Sequence, residues 1–126
     1  MKFDFGSVLG WIESRRNFAT FLAAAYAVGI FYFSSLSYPP TPAWAYSAVV
    51  FHFAEYLGFG FVLFLAARSW RVRRAFAVAL VFAVFYAATD EVHQYFVPYR
   101  SCSLFDVLVD SLGALAGTIL YSRIRR

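Results

Sequence analysis

The chain has 126 residues, enough for one domain, and 62% of them are hydrophobic. Soluble globular proteins are about 45–50% apolar, so this excess argues against a water-soluble fold and predicts an integral membrane protein. The formal net charge is +4, but the basic residues stand in short clusters between apolar runs, as residues that set membrane topology do. We therefore expect membrane lipids as partners and no nucleic acid.

Residues 1–16 mix apolar and charged side chains and are predicted to form either a short interfacial helix or a solvated tail. Four apolar stretches follow, each close to the about 20 residues that a helix needs to cross a bilayer. They cover residues 18–36, 46–67, 75–96 and 104–121. The sequence thus predicts an all-α fold in which residues 1–126 form a single domain, a bundle of four transmembrane helices.

The prolines between Ser37 and Pro42 separate the first two spans, because proline cannot continue a helix. A cleavage site for signal peptidase is suggested by Ala43-Trp44-Ala45. The first apolar run is, however, longer than the about 7–15 residues of a signal-peptide core. We therefore expect it to be retained as a span.

Basic residues predict the orientation of the bundle, because Lys and Arg near span ends resist translocation. Of the eleven Lys and Arg, all but Arg100 belong to the N-terminal segment, the connection at 68–74 or the C-terminal end. We expect this side, with both termini, to face the cytoplasm from the inner (plasma) membrane. Aromatic belts are predicted at both boundaries, from Trp44, Tyr46, Tyr95 and Tyr99 outside and from Trp70 and Tyr121 inside.

Charged residues within a span cost about 2.5–3.5 kcal/mol each on insertion scales, so each needs a partner, a cavity or a function. The last three spans carry polar residues toward their outer ends: His52, Glu55, Asp90, Glu91, His93, Gln94, Asp106 and Asp110. At 1.5 Å of rise per residue, all of them lie in the outer half of the membrane. We expect the polar faces of the three helices to meet inside the bundle. Glu91, about 100° around the helix from Asp90, is expected to face the lipid headgroups instead.

A GxxxG pattern, Gly113 to Gly117, continues the face of Asp106 and Asp110. Such a pattern lets helix backbones approach closely. We expect it to pack against a helix of the same bundle, with a dimer interface as the alternative.

The acidic residues other than Asp4 and Glu13 gather at the outer end with Arg100 and both histidines. Like charges in a low dielectric cannot all stay ionised unaided, so these carboxylates must be protonated, paired or bound to a cation. Candidate ligands for a divalent metal ion are His52, Asp90 and Asp110. Candidates for acid–base catalysis are His52, Glu55, Asp90 and His93. Candidates for ligand binding are Gln94, Arg100, Asp106 and Asp110.

Three segments occur in a fixed order along residues 46–121: HFAEYLG at 52–58, DEVHQYFVPYR at 90–100, and Ser103, Asp106, Asp110, Gly113 and Gly117. In this order they resemble the VanZ-like family, whose members often carry glycine where Tyr99 stands. The resemblance implies a small polytopic membrane protein. Through the family's namesake, it also implies an accessory role in resistance to glycopeptide antibiotics of the teicoplanin type.

Several functions are compatible with these features. The first is an outward-facing site that binds or processes a cell-envelope ligand: a lipid-linked glycan, a lipid headgroup or a glycopeptide antibiotic. The second is a hydrolase or transferase that acts on a lipid headgroup with a metal ion or an acid–base pair. The third is a structural subunit of a larger membrane complex or a homo-oligomer, and the fourth is proton or ion transport.

Overall fold

The computed structural model describes residues 4–37 and 42–125, without the side chains of residues 42–46. It contains five helices: α1 (Phe5–Glu13), α2 (Arg16–Ser34), α3 (Pro42–Ser69), α4 (Ala75–Gln94) and α5 (Leu104–Ile124). The described residues form no strand, so the prediction of an all-α fold is confirmed. The side chains of Trp44 and Tyr46, assigned to the outer aromatic belt, lie outside the described residues.

Four of the helices are long and apolar enough to cross a membrane: Arg16–Ser34, Ser47–Ser69, Ala75–Gln94 and Leu104–Ile124. The prediction of four spans is therefore confirmed. Their ends differ slightly from the predicted ones, because hydropathy marks the apolar stretch while the helix continues to its last backbone hydrogen bond. The helix α3, for example, already begins at Pro42, a residue whose missing N–H is tolerated in a first turn.

The most extensive helix contact is between α3 and α5, and glycines make it possible. A Cβ atom at Gly117 would collide with the carbonyl of Leu57, and one at Gly60 would collide with the backbone of Ala114. Gly113 meets the same face of α3 one turn nearer its beginning. The GxxxG pattern thus packs against a helix of its own chain, which fixes the register of α5 along α3.

The N-terminal segment is a helix docked on the bundle rather than a solvated tail. The carboxylate of Asp4 begins α1 by accepting from the Gly6 N–H at 3.0 Å. At the other end of α1, Glu13 accepts from Arg68 Nε at 2.9 Å and from Arg125 Nε at 3.3 Å. Between them, Leu9 is buried in the core. This helix is therefore fastened to both α3 and α5.

Tyr121 departs from its predicted place in the inner aromatic belt. Its side chain is fully buried, because Phe61 and Phe64 pack against its ring. Its hydroxyl donates to Glu13 at 3.0 Å. The prediction is wrong because α1 covers this position, whereas a belt residue would face lipid.

The two ends of the bundle differ in charge. At one end, here called the basic end, Arg16 lies 4.5 Å from the ring of Trp70, and Glu13 joins Arg68 to Arg125. At the opposite end, here called the polar end, lie His93 and the connection 95–103 between α4 and α5. The fold therefore separates the arginine clusters from the polar residues by the length of the spans.

Replacing Gly60 by alanine should weaken the α3–α5 contact. The added Cβ forces the two backbones apart, which should lower the free energy of unfolding by about 1–3 kcal/mol. The matched control is Gly29→Ala, because a Cβ there meets nothing within 4 Å. This control should leave stability unchanged or raise it by about 0.5–1 kcal/mol. The unfolding midpoint in a denaturing-detergent titration measures both, and equal midpoints would contradict the close approach.

The docking of α1 should depend on pH. Burial alone would raise the pKa of Glu13, but hydrogen bonds from Arg68 and Tyr121 and the charges of Arg68 and Arg125 together lower it. A carboxylate whose pKa is lower in the folded state stabilises that state at neutral pH, and the contribution is lost as the pH falls through the folded pKa. We predict that hydrogen-exchange protection of the α1 amides is high at neutral pH and declines below the ordinary value of 4.5. In Glu13→Gln protection should be low throughout; retained protection would refute the anchoring role.

Candidate functional site

The polar residues of the last three spans do lie at one end of the bundle, but they do not form a single cluster. His52, Glu91 and Asp110 form a cluster, here called the buried cluster, where α3, α4 and α5 meet. Glu55 and His93 instead lie on the side of α2. The prediction that all polar faces converge on one place is thus only partly met.

The pairing of His52 follows from the contact between α3 and α5. Gly113 lies against the Phe53 carbonyl, and this approach brings Asp110, three residues earlier on α5, level with His52. Nδ1 of His52 lies 3.0 Å from Oδ1 of Asp110. The two residues are 5% and 0% exposed. His52 therefore pairs with α5 and not with Glu55 of its own helix.

Glu91 is buried, so the prediction that it faces the lipid headgroups is wrong. It is 1% exposed, and its Oε2 accepts from the backbone N–H of Ser103 at 2.8 Å. Ser103 also caps α5, since its Oγ accepts from the Asp106 N–H at 3.2 Å. The connection before α5 thus folds over the end of α4. Glu91 is therefore buried, as is Asp90 beside it.

The buried cluster has the composition of a metal site. One ligand atom from each of His52, Glu91 and Asp110 lies within 4.8 Å of the others. The predicted candidates were His52, Asp90 and Asp110, and Glu91 takes the place of Asp90 in this cluster. Oε1 of Glu91 and Oδ2 of Asp110 are buried without a hydrogen-bond partner among the described residues. Such groups in a folded protein call for an explanation, and a bound ion or water is the usual one.

Asp90 and Gln94 pair with each other one turn apart on α4. Nε2 of Gln94 donates to Oδ2 of Asp90 at 2.9 Å, and both residues are buried. Asp106 is half-buried in the first turn of α5, where a carboxylate is favoured by the helix dipole. Each of these three residues thus has a structural role that accounts for its polarity.

His93 connects α4 to α2. Its Nε2 lies 2.9 Å from Oγ of Ser35, and its ring stacks on Phe31 with centroids 4.4 Å apart. The ring is half-exposed at the polar end. This imidazole is therefore reachable by a ligand, and it also holds the two helices together.

A lateral groove of about 480 Å³ lies between α2 and α3, here called the α2–α3 groove. Its walls are formed by Tyr26, Gly29, Ile30, Phe33, Phe51, Ala54 and Glu55. Glu55 is the one charged residue of this lining. Nη2 of Arg100 donates to the Phe33 carbonyl at 3.3 Å, which places the guanidinium at the rim. The groove therefore combines apolar walls with an acid inside and a base at its edge.

A second groove, of about 500 Å³, lies nearer the basic end among α2, α3 and α4. No charged residue lines it, and most of its walls are alanine, valine and aromatic side chains. It suits an acyl chain but offers no acid or base. We therefore place the candidate site at the polar end.

The connection that carries Arg100 is strained at one residue. Tyr99 has φ of 63°, in the left-handed region that favours glycine, and its side chain is exposed. Glycine is the residue expected here from the family resemblance. The backbone shape of this turn thus agrees with the resemblance even where the side chain does not.

The result of a comparison with known protein families agrees with the fold and with the residues at the polar end. The family model described as VanZ/LLP1 matches residues 4–125. The chain belongs to the VanZ/LLP1 family. The predicted resemblance is thereby confirmed, and the match extends beyond the predicted motifs to include α1. No curated protein and no solved structure matches the chain. With its four apolar helices, the chain is a membrane protein of the VanZ family.

Proposed function

We propose that this VanZ-family protein lies in the plasma membrane and binds the phosphate-bearing headgroup of a cell-envelope lipid at its polar end. Both termini and the basic end face the cytoplasm in this proposal. The orientation is supported by the arginine clusters at the basic end, since Lys and Arg are retained on the cytoplasmic side. The polar end then faces outward, toward the envelope.

The composition of the α2–α3 groove is the observation that supports this ligand. An envelope lipid has an apolar chain and a polar headgroup, and the groove has Ile30, Phe33 and Phe51 beside Glu55 and Arg100. A guanidinium suits a phosphate, because its planar N–H groups match two phosphate oxygens. A carboxylate accepts hydrogen bonds from the ammonium or hydroxyl groups of a headgroup. The volume lies within the about 300–1,000 Å³ of typical ligand sites.

The position of the groove also favours a lipid over a water-soluble ligand. Phe33 and Phe51 are 45% and 48% exposed on the outer face of the helices. In a spanning bundle this face meets the acyl chains of the bilayer. A lipid therefore enters sideways from the membrane and leaves its headgroup beside Arg100.

The proposed orientation has a direct test, because Cys102 is the single cysteine of the chain and is exposed at the polar end. A membrane-impermeant maleimide should label it on intact cells. The double variant Cys102→Ser, Ser122→Cys has its only cysteine at the basic end. It should be labelled only after the membrane is permeabilised. The reverse pattern would place the polar end in the cytoplasm and contradict the outward site.

Lipid binding is tested with a phosphatidylglycerol that carries a photoreactive diazirine on its acyl chain. In the wild-type protein we expect crosslinks to the walls of the α2–α3 groove, mapped by peptide sequencing. Arg100→Gln should weaken this labelling on the order of tenfold, because charge-assisted hydrogen bonds contribute about 1.5–3 kcal/mol.

Two comparisons make the lipid experiment specific. Glu55→Gln should weaken labelling by a photoreactive phosphatidylethanolamine, because the ammonium of this lipid would donate hydrogen bonds to the Glu55 carboxylate. Labelling by phosphatidic acid, which has no ammonium group, should be unchanged. Arg123→Gln removes an exposed charge near the C-terminal end of α5 and should leave groove labelling unchanged. Equal groove labelling in Arg100→Gln and wild-type protein would refute the proposed headgroup site.

A further inference from the structure

Three helices each bring one metal-ligating side chain to the buried cluster. His52 comes from α3, Glu91 from α4 and Asp110 from α5, and one ligand atom of each lies within 4.8 Å of the others. These residues are 5%, 1% and 0% exposed. The α3–α5 contact places His52 beside Asp110, and the Ser103 N–H at the start of α5 holds Glu91. Groups of this kind placed on helices are well suited to hold an ion in fixed geometry.

Two oxygens in the cluster have no hydrogen-bond partner among the described residues. They are Oε1 of Glu91 and Oδ2 of Asp110, and both are buried. The other oxygen of each carboxylate is used, by the Ser103 N–H and by His52 respectively. A buried carboxylate oxygen left without a donor loses its hydration and gains nothing in return. In each of these acids, only one of the two carboxylate oxygens has a hydrogen-bond partner among the described residues.

The charge of the cluster indicates which partner the two remaining carboxylate oxygens have. Two carboxylates and one imidazole are buried together with their ligand atoms within 4.8 Å of one another. Ionised carboxylates in a low dielectric require compensation. A divalent cation balances both carboxylates at once and takes a lone pair from each of the three side chains. We propose that His52, Glu91 and Asp110 bind a divalent metal ion inside the bundle, at a site separate from the α2–α3 groove.

The ligand types indicate which ions fit. An imidazole nitrogen with two carboxylates suits Zn²⁺ or Mn²⁺ better than Mg²⁺ or Ca²⁺, which prefer oxygen ligands alone. Bond lengths to such ions are about 2.0–2.2 Å, so ligand atoms that lie within 4.8 Å of one another must move closer together when the ion binds. Three protein ligands leave a coordination position open. Ser103, which covers Glu91, is half-buried, so the site lies close beneath the surface of the polar end.

The experiment uses the full-length protein in detergent, with any affinity tag removed and metal stripped by a chelator. Mn²⁺ or Zn²⁺ is then added, and bound metal is measured by elemental analysis after gel filtration. We expect about one ion per chain and a higher thermal unfolding midpoint with the ion than without it. Mg²⁺ at the same concentration should give a smaller shift.

Glu91→Gln and Asp110→Asn keep the shape of each ligand and remove its charge. Each should weaken metal binding more than about tenfold, since even partners outside the ligand set are worth about 10–100-fold in affinity. The control is Glu13→Gln, which removes a carboxylate at the basic end. It should keep one bound ion per chain even where it lowers stability, which separates loss of metal from loss of fold.

Two results would overturn the proposal: stripped wild-type protein that takes up no ion, or a Glu91→Gln variant that binds metal as tightly as the wild type. In the first case protonation of the carboxylates, not an ion, compensates for their burial. If Asp110→Asn fails to fold, the number of ions bound per wild-type chain and the metal affinity of Glu91→Gln still test the proposal. Loss of this site leaves groove labelling by lipid unaffected, so the two proposals fail separately.

Discussion

The close approach of α3 and α5 at three glycines is the contact on which the rest of the structure depends. It fixes the register between the helices, and that register places Asp110 beside His52 at the polar end. The same register places Tyr121 beside Glu13 at the basic end, where its hydroxyl donates a hydrogen bond to this residue of α1. Side chains larger than glycine would separate the helices and move both contacts together. Packing of the backbone and placement of the ionisable groups are therefore one property of this bundle.

The acids at the two ends of the bundle are paired differently. At the basic end, Glu13 accepts hydrogen bonds from two arginines and a tyrosine of the chain itself. At the polar end, Glu91 and Asp110 each have one partner from the chain and one buried oxygen without any among the described residues. An acid that is fully paired within the fold needs a structural explanation alone. Acids paired on one side, in a place where burial is costly, are better explained by a ligand.

Hydrophobic length and arginine placement were enough to predict the four spans, because these depend on local composition. The identity of the buried cluster was not predictable in the same way. Whether Asp90 or Glu91 joins His52 depends on how the connection before α5 folds over α4, and nothing local to that pair of acids encodes it. Tyr121 was misplaced for a similar reason, since its burial depends on the docking of α1. The GxxxG pattern, three residues after Asp110, was the one signal in the sequence that pointed to the pairing.

The α2–α3 groove and the buried cluster lie on neighbouring faces of one helix. His52 and Glu55 are three residues apart, which turns them about 60° from each other around α3. His52 consequently faces α5, whereas Glu55 faces the groove beside α2. A headgroup bound at Arg100, as proposed, would lie on the α2 side of α3, whereas the cluster lies on the α5 side. The proposed lipid site thus requires no metal, because its groups face α2, and the proposed metal site lies beneath Ser103, whose N–H contacts Glu91.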